Sequence, residues 1–177
     1  MKRRLALAAA VILLAGCAGV APLAPPASVG QTFSGRLALR VEAIGVAPAR
    51  SFTAAFDLRG DPRAGTLGLS TPLGSLLAQA RWQPGEVLLV TPQGTRRFAD
   101  LDGLTREVLG ESVPIEAWFD WLLGRPWAGA AAAESTPAGF DQLGWAVDLG
   151  RFGEGALSAR RAEPLPGVTV RIQLDRS

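Results

Sequence analysis

Few side chains in this sequence of 177 residues can do covalent chemistry. It contains no histidine, so serine–histidine and cysteine–histidine nucleophiles lack their base, and the usual zinc sites lack a ligand. Carboxylates remain, as Asp141 with Asp148 and Glu107 with Glu111, and such pairs are the raw material of carboxylate-only hydrolysis. Charged groups of this kind are ordinarily solvated surface, and the inventory argues against an enzyme. The one thiol is Cys17, directly behind Leu14-Ala15-Gly16. Ahead of it stand Lys2, Arg3 and Arg4 and an unbroken apolar run from Leu5 to Ala15. That order is a bacterial secretory signal, too short to span a membrane as a mature helix, with small residues at the cut. A lone thiol in an oxidising compartment is a liability unless it is modified.

Leu14-Ala15-Gly16-Cys17 resembles the lipobox of bacterial lipoproteins. The resemblance implies that residues 1–16 are removed and that Cys17 is acylated and becomes the first mature residue. Lipoproteins with Asp after the cysteine tend to stay in the inner membrane. Ala18 stands there, which implies the outer membrane, with the chain lipid-anchored on its periplasmic side. Stable anchoring takes more than one acyl chain, in keeping with a triacylated end. Residues 17–30 are small and include three prolines, the composition of a lipidated tether with no face to pack.

Removing residues 1–16 leaves 161 of 177, enough for a single domain with a real core, placed at 31–177. Fifteen basic residues then face sixteen acidic ones and no lysine survives, so nothing suggests a nucleic-acid surface. No phosphate-binding loop, metal set or cofactor motif stands out, and no cysteine is left for a disulfide.

The domain opens on strands. Phe33, Gly35, Leu37, Leu39 and Val41 alternate with polar or small residues, and the pattern returns at Phe52, Ala54, Phe56 and Leu58. Shorter runs follow at Thr66–Ser70, Leu76–Trp82 and Glu86–Thr91, and alternation resumes from Val168 to Leu174. This spacing predicts a meandering antiparallel sheet curled into a barrel or half-barrel. The middle changes period. Leu101, Leu104, Val108 and Leu109 fit one helical face that Gly110 is placed to end. Ser112 reads as the N-cap of a second helix with Pro114 just inside, carrying Ile115, Trp118, Phe119 and Leu122. Inserted into a β meander, these helices either plug the core or cover an apolar cavity.

Two turns share one frame. Thr91-Pro92-Gln93-Gly94 carries a polar tip, whereas Thr71-Pro72-Leu73-Gly74 carries a leucine where a tight turn offers little to pack on. That leucine is placed to touch a bilayer. Together with the lipobox, Phe33-Ser34-Gly35-Arg36-Leu37-Ala38-Leu39, Leu69 to Ser75, the helix Pro114–Gly124 and Phe140 to Trp145 resemble the LolB family in content and order. The resemblance implies mainly β structure: an unclosed antiparallel β-barrel whose apolar cavity is covered by lid helices. It also implies a monomer that takes acylated lipoprotein cargo from a LolA-like periplasmic carrier and inserts it among outer-membrane lipids. The membrane-insertion loop falls on Pro72, Leu73 and Gly74. The interior list for acyl chains is Phe33, Leu37, Leu39, Phe52, Phe56, Leu89, Trp118, Leu122 and Trp145, with Arg36 and Arg40 as candidates for a docking rim. A lipocalin-like lipoprotein for a small apolar ligand shares the cavity but needs no apolar loop. A scaffold lipoprotein would have a filled barrel.

Overall fold

The computed structural model describes residues 30–135 and 138–175; the expected signal segment, Cys17 and all but the last residue of the tether lie outside them. Period-two alternation builds eleven strands. They are β1 (Gln31–Val41), β2 (Arg50–Gly60), β3 (Gly65–Ser70), β4 (Leu76–Gln83), β5 (Glu86–Thr91) and β6 (Gly94–Phe98), followed by β7 (Ala132–Ser135), β8 (Gly139–Gln142), β9 (Trp145–Asp148), β10 (Ala156–Arg161) and β11 (Val168–Leu174). They form one sheet in the order β6-β5-β4-β3-β2-β1-β11-β10-β9-β8-β7, antiparallel throughout. β1 pairs with β11, so first and last strands meet in the middle, and the edge strands β6 and β7 do not pair with each other. The sheet is therefore unclosed, as expected.

Two helices connect those edges: α1 (Leu101–Leu109) and α2 (Ile115–Trp121). α1 starts because the Asp100 side chain accepts the Gly103 amide, and it stops at Gly110, whose φ of 78° suits glycine. The N-cap of α2 corrects the expectation. Pro114 occupies that position, and the Ser112 hydroxyl instead donates to the Asp102 carboxylate on α1. A charge-assisted bond of that kind outweighs a neutral cap. The Val113 amide is taken as well, by the Thr105 hydroxyl at 3.2 Å.

The inner sheet face and both helices share one core. Leu37, Leu39 and Val41 of β1, Phe56 and Leu58 of β2, and Val168, Val170 and Ile172 of β11 are all buried in it. Each such side chain contributes about 1.5–3 kcal/mol by leaving water. α2 is apolar on most of its circumference because it is surrounded. Phe119 meets Trp82 edge-on with centroids 6.1 Å apart, and Trp121 meets Phe140 at 6.2 Å. Close packing extends to the backbone at Gly65, where a Cβ would lie 2.7 Å from the Trp82 ring.

The sheet has two distinct ends. Gln31 begins at the proximal end, which also holds the β2–β3 and β4–β5 turns. The distal end holds the β1–β2, β3–β4, β5–β6, β8–β9 and β10–β11 connections.

Candidate functional site: a covered apolar interior and its distal mouth

Every residue of the predicted interior set faces the common core. Leu37, Leu39, Phe56, Leu89, Trp118, Leu122 and Trp145 are buried, and Phe33 and Phe52 are half-buried against them. What they surround in this conformation is packed rather than hollow. Trp118, Phe119, Trp121 and Leu122 fill the space that a sheet-only view leaves open. Between α1 and the sheet remains an apolar cavity of about 40 Å³, bordered by Leu69, Ala78, Ala80, Leu89, Leu104 and Ile115. A cavity of roughly 150 Å³ is needed for a ligand as small as benzene, so an acyl chain has room here only if a helix moves.

The helices are fastened at two polar points that the sequence reading missed. The connection between them lies at the distal end, where Arg161 of β10 donates to Glu111 at 2.6 Å and to the Ser112 carbonyl at 3.2 Å. Both ionic side chains are largely buried, and the guanidinium also sits 5.6 Å from the Trp145 ring centroid. At the other point Gln142, buried in β8, uses its whole amide. Its oxygen accepts from the Trp121 indole at 2.8 Å and the Trp127 amide at 2.9 Å, and its nitrogen donates to the Trp127 and Ala130 carbonyls. A fully satisfied buried amide of this kind rigidifies what it touches. α2 and the chain after it are thus tied to the sheet through a buried amide, while α1 rests on β5 and β6, and its Glu107 pairs with Arg96 of β6 in the open.

Near the start of α1 three carboxylates gather. Burial pushes the Glu116 carboxyl above its ordinary range; a hydrogen bond to its own backbone opposes this, and the Asp102 and Asp100 charges add to it. A raised folded-state value means that ionisation costs stability, so this contribution is lost as pH rises through it. Glu116→Gln is expected to raise the melting temperature at pH 7 and to lose that advantage near pH 3.5, where the native carboxyl is protonated in both states. Thermal denaturation at the two pH values checks it.

The carboxylates that a hydrolase could have paired have other surroundings. Glu107 pairs with Arg96 at 2.9 Å, whereas Glu111 belongs to Arg161. Asp141 lies opposite Ala146 and Asp148 opposite Gly139, at separate register positions of β8 and β9. Arg36 lines an open groove of about 370 Å³ on the outer face with Thr53, Ser158 and Arg171, and Arg40 is exposed on that same strand.

The turn after β3 has the predicted form. The Gly74 amide donates to the Thr71 carbonyl at 2.9 Å, Thr71 and Ser75 pair at 2.9 Å, and Gly74 takes a φ of 85°. This is a three-residue loop of Pro72, Leu73 and Gly74 ending in the left-handed residue that such loops need. Leu73 is 95% exposed at its tip. The Thr91–Gly94 frame closes differently, since Thr91 pairs directly with Gly94 and leaves the two-residue loop Pro92-Gln93.

An unclosed antiparallel sheet packed on one amphipathic and one largely apolar helix, with a leucine held out from one end, defines a mainly β, open-sheet class of protein. The family model described as "Outer membrane lipoprotein LolB" matches residues 31–175. Curated relatives called outer-membrane lipoprotein LolB include those of Bordetella petrii, 37% identical over 93% of this chain and 87% of the relative, and Bordetella pertussis, 36% identical over 90% and 85%. That of Thiobacillus denitrificans is 28% identical over 99% of this chain and 97% of its own. The chain belongs to the LolB family of outer-membrane lipoproteins. It is a lipid-anchored outer-membrane protein of lipoprotein localisation and not an enzyme.

Proposed function

We propose that this domain takes the acyl chains of lipoproteins from a LolA-like periplasmic carrier beneath α1 and releases them into outer-membrane lipids past Leu73. Cys17, once acylated, holds it at that membrane. The observation that carries the reading is the place of the cavity. Leu69 of β3 and Ala78 of β4 border it, and the short loop joining those strands carries Leu73, fully out in water. A path from interior to bilayer therefore needs only α1 to yield, and the ion pair that joins α1 to β6, Glu107 with Arg96, is solvent-exposed.

The hydrophobic term dictates the route. Each buried CH₂ is worth about 0.8 kcal/mol, so a triacyl anchor in water is penalised by tens of kcal/mol. Cargo must pass from one apolar interior to another and then to the bilayer, with direction set by modest differences among the three. The interior set named above would meet the chains as α1 moves and the core re-forms around them. The test is transfer of a triacylated lipoprotein from its LolA complex to the chain carrying Cys17→Ala. Stoichiometric transfer, with none for a deacylated control, is expected. No transfer with an apolar dye still bound would favour a small-ligand lipoprotein, and no binding of either would favour a scaffold.

A further inference from the structure

Leu73 has company. Of the large apolar side chains left exposed in the described connections, Ile44, Val46, Leu73, Leu143 and Leu165 belong to strand connections at the distal end, while Leu123 lies in the turn after α2. Those four connections are consecutive along the sheet, joining β3 to β4, β1 to β2, β10 to β11 and β8 to β9 in the order β4-β3-β2-β1-β11-β10-β9-β8. With strands about 4.8 Å apart, neighbouring tips stand about 10 Å from each other.

Turn chemistry makes these residues unexpected. Ile44 and Ala47 exchange two backbone hydrogen bonds at 2.9 and 3.1 Å, closing a two-residue turn in which Gly45 takes a φ of 55° and Val46 is wholly exposed. Such positions favour small polar residues, and a β-branched one is a poor choice. Leu143 is more telling. It is the one non-glycine among the described residues with a positive φ, at 55°, in the two-residue turn Leu143-Gly144 between Gln142 and Trp145. Asn-Gly is the natural pair there, and a leucine is held in the left-handed region at a conformational cost. Charge follows the same division. Residues 71–75 and 143–144 carry none, 42–49 carry only Glu42, which pairs with Arg160 at 3.4 Å, and 162–167 carry only Glu163. The proximal turns carry Asp61, Arg63, Asp100, Arg151 and Glu154.

We infer that these four turns form one bilayer-contacting rim, in which Val46, Leu143 and Leu165 enter the lipid interface beside Leu73. The inference rests on the Leu73 reading above and extends it. A bilayer is the fitting partner because the apolar groups are separate points on turns of little charge rather than one continuous patch. A protein surface would have to match each point, whereas lipid receives each independently. Several shallow insertions also fix the angle at which the mouth meets the membrane, which one leucine cannot do.

The test uses the chain with Cys17→Ala, which leaves no other thiol. Single cysteines placed by Val46→Cys, Leu73→Cys, Leu143→Cys, Leu165→Cys and, as a proximal control, Arg63→Cys carry an environment-sensitive dye. Vesicles of phosphatidylethanolamine and phosphatidylglycerol are expected to blue-shift the dye at 46, 73, 143 and 165 but not at 63. A shift at 73 alone overturns the rim and leaves the Leu73 reading standing. A shift at 46, 143 and 165 without 73 overturns the Leu73 reading and with it a rim built around that leucine, and no shift anywhere overturns both. A shift that appears on concentrating the chain without vesicles assigns the tips to a second copy and overturns the inference. Leu143→Asn separates this role from a structural one: it should raise the melting temperature while lowering vesicle binding about threefold to tenfold. Higher stability with unchanged binding overturns the role of Leu143.

Discussion

Leu73→Glu is expected to leave acceptance of acylated cargo from the carrier within about twofold and to reduce its insertion into liposomes by at least tenfold. The first half follows from exposure. At 95% exposed, Leu73 supports nothing in the fold, and surface changes of this kind usually stay within about 0.5 kcal/mol. The second half follows from burial. Taking a leucine into lipid is worth about 1.5–3 kcal/mol, or roughly tenfold to a hundredfold, and a carboxylate there reverses the sign. Leu73→Ala should fall between and Leu73→Phe should retain activity. A two-stage assay, loading from the carrier and then release to liposomes, separates the steps. Equal insertion by the glutamate variant would refute the loop's role.

Arg161→Ala carries the largest expected loss of stability. It strands Glu111 and the Ser112 carbonyl beneath the connection between the helices, and breaking a buried pair typically costs about 3–5 kcal/mol. Because Glu111 retains some exposure, the lower figure is expected, a fall in melting temperature of about 10 °C. Arg161→Met combined with Glu111→Leu should recover most of it, since well-packed apolar replacements of an ion pair are often neutral. The single variant also frees the connection that α1 leads into, so it should take up an apolar dye faster at temperatures where it remains folded. Urea unfolding and stopped-flow dye uptake check both.

These two residues differ sharply in how readable they are. Leu73 was visible because Gln93 occupies the same position in an otherwise matching turn, and that comparison needs only nearby residues. Arg161 and Glu111 stand 50 positions apart and meet only once the sheet has curled, so no local pattern announces them. The same contrast runs through the fold. β1 and β2 alternate cleanly because one face is wet, and α1 shows its apolar face and its closing Gly110 in sequence, whereas its N-cap, Asp100, comes from the structure. β6 was missed because Gly94-Thr95-Arg96-Arg97-Phe98 is exposed along most of its length as an edge strand and buries no alternate face. β7, again at an edge, is four mostly exposed residues of weak strand preference. α2 was legible as a helix, and its apolar excess marked a surrounded one. Whether it plugged or covered the interior depended on volumes that periodicity does not encode. Here Trp118 and Leu122 act as filling, while the small remaining space lies under α1.

The chain enters the sheet at the end opposite the apolar turns, and anchoring at Cys17, as proposed, would make residues 18–30 a leash. Residues 18–30 number thirteen, with a contour of at most about 45 Å, while the eleven residues of β1 extend about 36 Å. On the proposed function, bringing the Leu73 end to the membrane would require the domain to turn over and draw the leash nearly taut alongside itself. Facing a soluble carrier would need almost none of that length. One leash would then serve both proposed steps, loading outward and delivering inward, and one a few residues shorter would permit only the first.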